Sequence, residues 1–442
     1  MGHQQVLKLQ KAIAWLVMFL MPIPIFLSPS SSIVFANGTI GNEALAFPLS
    51  LAMVPLIFTL SVLNINKIRG VKAFLYFWLL LFSLWVLGSA FASASNYPVS
   101  LLYALQWILI FLWAGYFFSS LEDFSFESLA RPFFIGAFFG AFYIFISGFM
   151  EFLFYGALLD AGRMTQNLVL KGQYQLAVYT PTVLAYSFLV LLVSWSSRTF
   201  PFSSLAFLLY AVVALVALIF TGAREGLLVY FLGSFFIIFL RSLSALFVCT
   251  ILSIFFVFIF LSRLEEVVYW FSVSELRLLN KIARLFEEGG ALGARDIMIM
   301  EYVRIIIDNP FWGVMMVPPE VISNGAATSV KSAHNFYVDV WAWAGFPGFL
   351  TYLFFSISLL FMAIVSIAKS WLARSEDRVV VGASWVVIVM LLVSNNINVP
   401  LRQPLVIPLF LFCVYLMFPS RNRVGCGAVL NVERHNFLIR ES

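Results

Sequence analysis

The sequence predicts an all-α polytopic membrane protein of about twelve transmembrane helices, and three observations support this fold class. Only 11% of the 442 residues are charged and 62% are hydrophobic, whereas a soluble domain carries about 25% charged residues to keep its surface hydrated. Apolar runs near the ~20 residues that cross a bilayer recur along the chain. Lysine and arginine gather in alternate connections between these runs, as in a multi-pass protein.

The apolar runs form two groups separated by one long loop. Nine predicted helices fall within residues 1–262 and three within 336–419, with a loop at 263–335 and a tail at 420–442. The first run has an alternative interpretation as a signal peptide ending near Val34-Phe35-Ala36, but a retained helix is favoured because an even number of spans fits the charge distribution. The predicted spans are residues 11–28, 45–63, 73–92, 101–119, 132–156, 174–193, 202–220, 224–241, 245–262, 345–368, 379–393 and 404–419.

Basic residues predict the orientation of these spans. With both termini in the cytoplasm, fifteen of the 26 lysines and arginines lie in cytoplasmic segments. Short outer loops hold four, namely Arg163, Lys171, Arg224 and Arg402, and the remaining seven lie in the loop 263–335. Long loops cross the membrane largely regardless of charge. The sequence therefore predicts an inner-membrane protein whose long loop and chemistry face the periplasm.

Composition argues against several other classes of function. The pI near 9.0 comes from dispersed basic residues, so no nucleic-acid partner is expected. Cys249, Cys413 and Cys426 lack metal-ligand spacing, so the sequence predicts no disulfide framework, zinc site or thiol nucleophile. No metal and no cofactor is expected.

Arg224 lies where one outer loop meets a span. The apolar run after it, Leu227 to Leu240, is only about 21 Å long as a helix, which is short of the ~30 Å hydrocarbon core. The helix is therefore predicted to begin near Gly222, with Arg224 in its first turn. A guanidinium beside a helix N-terminus makes an anion site, although pairing with Glu225 is the alternative.

The loop 263–335 is predicted to contain an amphipathic helix from Arg295 to Asn309, ended by Pro310. Glu301, Arg304 and Asp308 form its polar stripe, so the helix lies either on the membrane or under the loop's own cap. Arg295 in its first turn is disfavoured by the helix dipole unless an anion binds there or Asp296 neutralises it.

His334 is the histidine predicted to face outward, since His3 and His435 lie in cytoplasmic tails. The apolar run from Phe336 to Ala368 is too long for one straight span, and Gly345-Phe346-Pro347-Gly348 is predicted to break it. His334 would then begin a short helix whose positive end disfavours an imidazolium. A neutral imidazole can act as a general base.

Two arginines and one histidine, without a carboxylate pair, suit glycosyl transfer from a lipid diphosphate. Arginine forks bind diphosphate, and a base must take the proton of the acceptor hydroxyl. The segments 221–226, 293–313 and 332–348 together resemble the O-antigen ligase and polymerase superfamily of bacterial inner-membrane glycosyltransferases. The resemblance lies in an Arg-Glu-Gly turn, a Gly-x-Arg helix ending in Asn-Pro-x-x-Gly, and a His-Asn helix followed by a glycine break.

This resemblance implies a GT-C-like membrane fold and metal-independent transfer of a glycan from undecaprenyl diphosphate to lipid A–core or a growing polysaccharide. It implies that Arg224 and Arg295 bind the diphosphate, that His334 activates the acceptor, and that Arg163 is a further basic site residue. Ala223 and Met315 depart from the family pattern and leave the charged roles intact. A flippase for the lipid-linked glycan is the alternative function, but the spans are almost free of the ionisable residues expected along a transport path.

Overall fold

The computed structural model of the protein describes residues 3–23, 53–92, 97–122, 124–155, 174–221, 224–241, 251, 266, 269–270, 272, 293–315, 320–323, 326–329, 333–372, 378–397 and 406–418. Arg163 and His435 lie outside the described residues, as do the side chains of Arg224 and Arg295.

Helices fill most of the described chain, as the apolar runs predict. In order they are α1 (His3–Leu20), α2 (Val54–Leu63), α3 (Val71–Ala92), α4 (Tyr97–Ser120), α5 (Phe126–Tyr155), α6 (Tyr174–Ser196), α7 (Ser204–Thr221), α8 (Arg224–Arg241), α9 (Gly293–Asp308), α10 (Phe336–Leu372), α11 (Arg378–Val389) and α12 (Ile407–Leu416). A π-helical turn, Met390–Ser394, and a final helical turn, Asn395–Ile397, continue α11.

Within the described residues, four helices are long and apolar enough to cross a membrane, and they are Val71–Ala92, Phe126–Met150, Ser204–Thr221 and Phe336–Lys369. Six shorter apolar helices accompany them. The prediction of a helical membrane protein is therefore confirmed. The number of crossings stays a prediction, since apart from Ile251 the ninth predicted span, 245–262, lies outside the described residues.

The core is an inner group of helices surrounded by helices with exposed apolar faces. All ten residues of α12 are buried, because a helix that is apolar all round has no side that favours water. It packs against α4 and α11, and α11 packs in turn on α6. In contrast, α7 exposes Leu205 and Leu208 by 74% and 59%, and such faces suit contact with lipid.

The segment predicted to be a loop, 263–335, contains a helix where the amphipathic helix was expected, and a hairpin that was not predicted. Helix α9 ends at Asp308, so the stop predicted at Pro310 is confirmed. Antiparallel strands β1 (Glu320–Ser323) and β2 (Ala326–Ser329) follow, with Glu320 opposite Ser329. The residues between them are Asn324-Gly325, which is the dipeptide that favours a two-residue hairpin turn and the signal that identifies this hairpin in the sequence.

Candidate functional site

Helix α8 is described from Arg224 to Arg241, so Arg224 lies in its first described turn. The start predicted near Gly222 lies outside the described residues. The first described turn packs closely on α6, since a Cβ added to Gly226 would lie 2.9 Å from the Cβ of Pro181. Farther along the two helices, the rings of Tyr230 and Phe188 stack with centroids 3.9 Å apart. Helix α8 is therefore held against the part of α6 from Pro181 to Phe188, which contains Tyr186.

The same tyrosine connects α6 to the π-helical turn. The hydroxyls of Tyr186 and Ser394 lie 2.6 Å apart, and both side chains are fully buried. The next residue, Asn395, is also buried and donates its Nδ2–H to the Tyr352 hydroxyl at 3.1 Å. Polar side chains buried among the apolar helices of a membrane protein are rare and are often functional, and π-helical turns are frequent at functional sites.

His334 lies next to this turn in a left-handed backbone conformation. Its φ is 54°, a region where histidine occurs more often than most residues. The prediction that His334 begins the helix is wrong, because Asn335 is the N-cap. Oδ1 of Asn335 accepts the N–H groups of Tyr337 at 3.0 Å and Val338 at 3.2 Å. Because the cap orients the carboxamide, Nδ2 of Asn335 points away from the helix and donates to Oδ1 of Asn396 at 3.2 Å.

Asp339 fixes the residue that precedes His334. This aspartate lies in the first turn of α10 and is 0% exposed. Its Oδ1 accepts the backbone N–H of Ala333 at 2.8 Å, and Ala333 is itself buried. The residue before His334 is therefore tied to α10, while the residue after it is tied to Asn396.

We expect Asp339→Ala to destabilise the protein by about 1–3 kcal/mol, because the buried N–H of Ala333 loses its acceptor. Asp339→Asn keeps an acceptor oxygen, so its stability should fall between that of Asp339→Ala and that of the parent. The unfolding midpoint of purified protein in detergent measures both effects. Asp308→Ala, at an exposed position that ends α9, is the control and should leave the midpoint unchanged. Equal losses at both aspartates would contradict the role of Asp339.

The break predicted in α10 lies at Gly345, where φ is 67° and ψ is −177°. The break leaves the carbonyls of the preceding turn without helical partners. Each of these carbonyls accepts a hydrogen bond from outside the helix. The backbone N–H groups of Val314 and Met315 donate to the carbonyls of Ala342 and Trp343, both at 3.0 Å. The Nε1–H of Trp85 donates to the carbonyl of Ala344 at 2.6 Å. Irregular backbone at membrane depth is tolerated when such groups are satisfied internally.

Two of these three donors, Val314 and Met315, directly follow the Asn309-Pro310-Phe311-Trp312-Gly313 turn at the end of α9. The contact is reciprocal, because the Phe346 N–H freed by the break donates to the Pro310 carbonyl at 2.8 Å. A Cβ on Gly313 would lie 2.6 Å from the backbone nitrogen of Gly345, so both glycines are needed for this approach. Two motifs separated in the sequence therefore form one structural unit.

Helix α9 packs on the first part of α10. Tyr302 is fully buried, and its ring centroid lies 6.3 Å from that of Trp343. Arg295 precedes Tyr302 by seven residues, or two helical turns, so the backbone register places it on the face of α9 that meets α10.

Three of the four predicted site residues therefore belong to segments that the fold brings together. Helix α8, with Arg224 in its first turn, packs directly on the π-helical turn. The His334 segment reaches that turn through Tyr337, whose hydroxyl donates to the Leu391 carbonyl at 3.1 Å. Helix α9 with Arg295 packs on α10 through Tyr302. Arg163 lies outside the described residues. Among the described residues, no group of three or more His, Cys, Asp or Glu side chains could hold a metal ion.

The sequence model of the O-antigen ligase family matches residues 206–353, about a third of the chain. We refer to residues 206–353, which are similar to the domain of this family, as the ligase domain. It begins in α7 and ends after the Gly345 break, so it contains Arg224, Arg295 and His334. The resemblance to the O-antigen ligase superfamily is thereby confirmed, and with the apolar helices it indicates a membrane protein with a function of the ligase or polymerase family. A search of curated proteins finds no match to this chain.

Asp339, Asn395 and Asn396 were not predicted from the sequence. Asn395 and Asn396 contact the ligase domain through hydrogen bonds to Tyr352 and Asn335. The available signal was polar side chains next to or within apolar runs, where each needs a partner. Asp339 follows the His-Asn pair within the run Phe336 to Ala368, and the two asparagines follow the predicted span 379–393.

Proposed function

We propose that the protein is a glycosyltransferase of O-antigen ligase or polymerase type. It moves a glycan from undecaprenyl diphosphate to a hydroxyl of lipid A–core or of a growing polysaccharide, without a metal ion. The observation that carries this proposal is that the Arg224, Arg295 and His334 segments all lie within residues 206–353, which the O-antigen ligase family model matches. The Arg224 and His334 segments also pack against the π-helical turn, and α9 with Arg295 packs on α10.

In the proposed reaction, His334 takes the proton of the acceptor hydroxyl as the hydroxyl oxygen attacks the anomeric carbon of the donor. The bond between that carbon and the diphosphate oxygen breaks, and the diphosphate leaves with the electron pair. Arg224 and Arg295 stabilise the negative charge that develops on the diphosphate. Both arginines lie in the first turn of a helix, where exposed N–H groups and the helix dipole add to their positive charge.

The proposal includes the topology predicted from the sequence. Twelve spans in a bacterial inner membrane keep both termini in the cytoplasm, and the loop 263–335 covers a site on the periplasmic side. The positive-inside distribution of lysine and arginine supports this orientation. Arg163 is proposed as a further diphosphate contact from an outer loop.

A gene deletion followed by gel analysis of lipopolysaccharide tests the activity. Loss of a ligase leaves bare core with polymer stranded on the lipid carrier, whereas loss of a polymerase leaves core with a single repeat. Either profile supports the proposal, and an unchanged profile contradicts it for this polymer.

We expect Arg295→Ala to fail to restore the profile, because the leaving diphosphate loses a cation. Arg304→Ala is the matched control on the same helix, since Arg304 is 74% exposed and pairs with Glu301 at 3.0 Å. Such exposed pairs contribute about 0–1 kcal/mol. Arg224→Lys keeps the charge but loses the guanidinium fork, so it should retain only part of the activity of the parent. Full complementation by Arg295→Ala and Arg224→Ala would show that the assigned site is wrong.

A further inference from the structure

Helix α9 has three distinct faces. At 100° per residue, Met298, Tyr302 and Ile305 lie on one side, and this side packs against the protein core. Glu301, Arg304 and Asp308 occupy a second sector about 60° wide. A third sector of similar width lies on the opposite side of the charged sector from the buried side.

In the part of the loop that the structure describes, the third sector is apolar and exposed. Met300, Val303 and Ile307 are 67%, 38% and 70% exposed, and they recur at the i, i+3, i+7 spacing of one helix face. Phe311, in the turn that follows, is 53% exposed. We refer to Met300, Val303, Ile307 and Phe311 as the apolar stripe. A loop helix surrounded by water has no reason to divide its exposed half into an apolar and a charged sector.

The apolar stripe is continuous with the lipid-facing side of α3. Trp312, the residue after its last member, stacks on Trp85 of α3 with ring centroids 4.8 Å apart and planes 6° apart. Beside this stack, Leu84 and Phe91 of α3 are 56% and 53% exposed in a helix long enough to cross the membrane. Tryptophan is enriched where such helices leave the hydrocarbon core.

We propose that α9 lies in the membrane interface, with the apolar stripe inserted among the acyl chains of the adjacent leaflet. Its sector of Glu301, Arg304 and Asp308 faces the headgroups and water, and its Tyr302 side faces α10. The partner of the stripe is bilayer lipid, because the stripe extends the surface that α3 already presents to lipid. The sequence left two positions open for this helix, on the membrane or under a cap formed by the loop, and this arrangement selects the first.

The inserted stripe also sets the depth of Arg295, a consequence that rests on the proposed function. Arg295 lies 12 residues before Ile307, about 18 Å along the helix axis. A helix that lies flat in the interface keeps its first turn at the level of lipid headgroups, which is the depth of a diphosphate attached to a polyprenyl tail.

Spin labels on adjacent residues test the insertion in the full chain reconstituted into lipid nanodiscs. In a background with Cys249, Cys413 and Cys426 replaced by alanine, Ile307→Cys reports the apolar stripe and Asp308→Cys is the matched control. Oxygen concentrates in hydrocarbon and a neutral nickel chelate stays in water, so we expect the oxygen-to-nickel ratio of collision rates to be several-fold higher at 307 than at 308. The pair Met300→Cys and Glu301→Cys repeats the comparison on an earlier turn.

Two results would overturn the proposal. Equal, nickel-accessible labels within both pairs would mean that the stripe faces water. Protection of the labels at 300 and 307 from both reagents would mean that another part of the protein or a second copy covers it. Neither readout depends on enzymatic activity, so failure of the insertion is distinguishable from failure of the proposed function.

Discussion

His334→Gly is expected to lower the rate of glycan transfer by about 10²–10⁴-fold, which is the usual contribution of a general base. The imidazole lies next to the start of α10 between two anchored residues, Ala333 and Asn335, so its position is defined by the fold. Glycine suits the left-handed conformation of this residue, where φ is 54°. The substitution therefore removes the proposed base without adding backbone strain.

The measurement is the initial rate of transfer from a lipid-diphosphate donor by purified protein. His334→Asn is a second variant that tolerates the left-handed backbone and should lose as much activity. Added imidazole should restore part of the rate of His334→Gly, an effect that a purely structural histidine would not produce. His435→Ala, in the predicted cytoplasmic tail, is the control and should be as active as the parent.

A folded His334→Gly variant that keeps about a tenth or more of the parent rate would exclude the general-base role. Normal donor binding with a reduced maximal rate would support it, since the base acts in the chemical step and the arginines bind the diphosphate.

Gly345→Ala is expected to destabilise the protein by about 2–6 kcal/mol and to abolish transfer. The backbone of Gly345, with φ 67° and ψ −177°, lies in a region that is essentially restricted to glycine. A Cβ there would also collide with the carbonyl oxygen of Phe311. The turn after α9 would have to move away, which would leave the carbonyls of Ala342 and Trp343 without their donors.

Gly70→Ala separates these two causes. Gly70 has a φ of 57°, but nothing lies within 4 Å of an added Cβ, so this variant reports backbone strain alone. It should cost about 1–2 kcal/mol. Thermal unfolding in detergent, monitored by size-exclusion chromatography, gives the unfolding midpoints of the two variants. Similar midpoints for Gly345→Ala and Gly70→Ala would mean that the contact between the loop turn and the helix break contributes little to stability.

Much of the fold and part of the site could be predicted from local sequence patterns. Composition and apolar runs predicted a helical membrane protein, because a lipid-facing surface requires apolar side chains. The short run after Arg224 predicted that α8 includes this residue, and the long run after His334 predicted the break at Gly345. Pro310 predicted the end of α9. Each of these features depends on residues close together in the chain, so helix geometry alone is enough to identify it.

Contacts between distant segments were decided by the tertiary structure alone. Asn335 and Asn396 are 61 residues apart, and Tyr186 and Ser394 are 208 apart, so no periodicity indicates that they meet. The partners of the carbonyls freed at Gly345 come from the turn after α9 and from α3, because a broken helix must find donors elsewhere in the fold. The sequence by itself determined the membrane class and the residue types of the chemistry. The packing of α10 against the helical turns that follow α11 decided which segments lie beside His334, since hydrogen bonding depends on neighbours that sequence patterns do not specify.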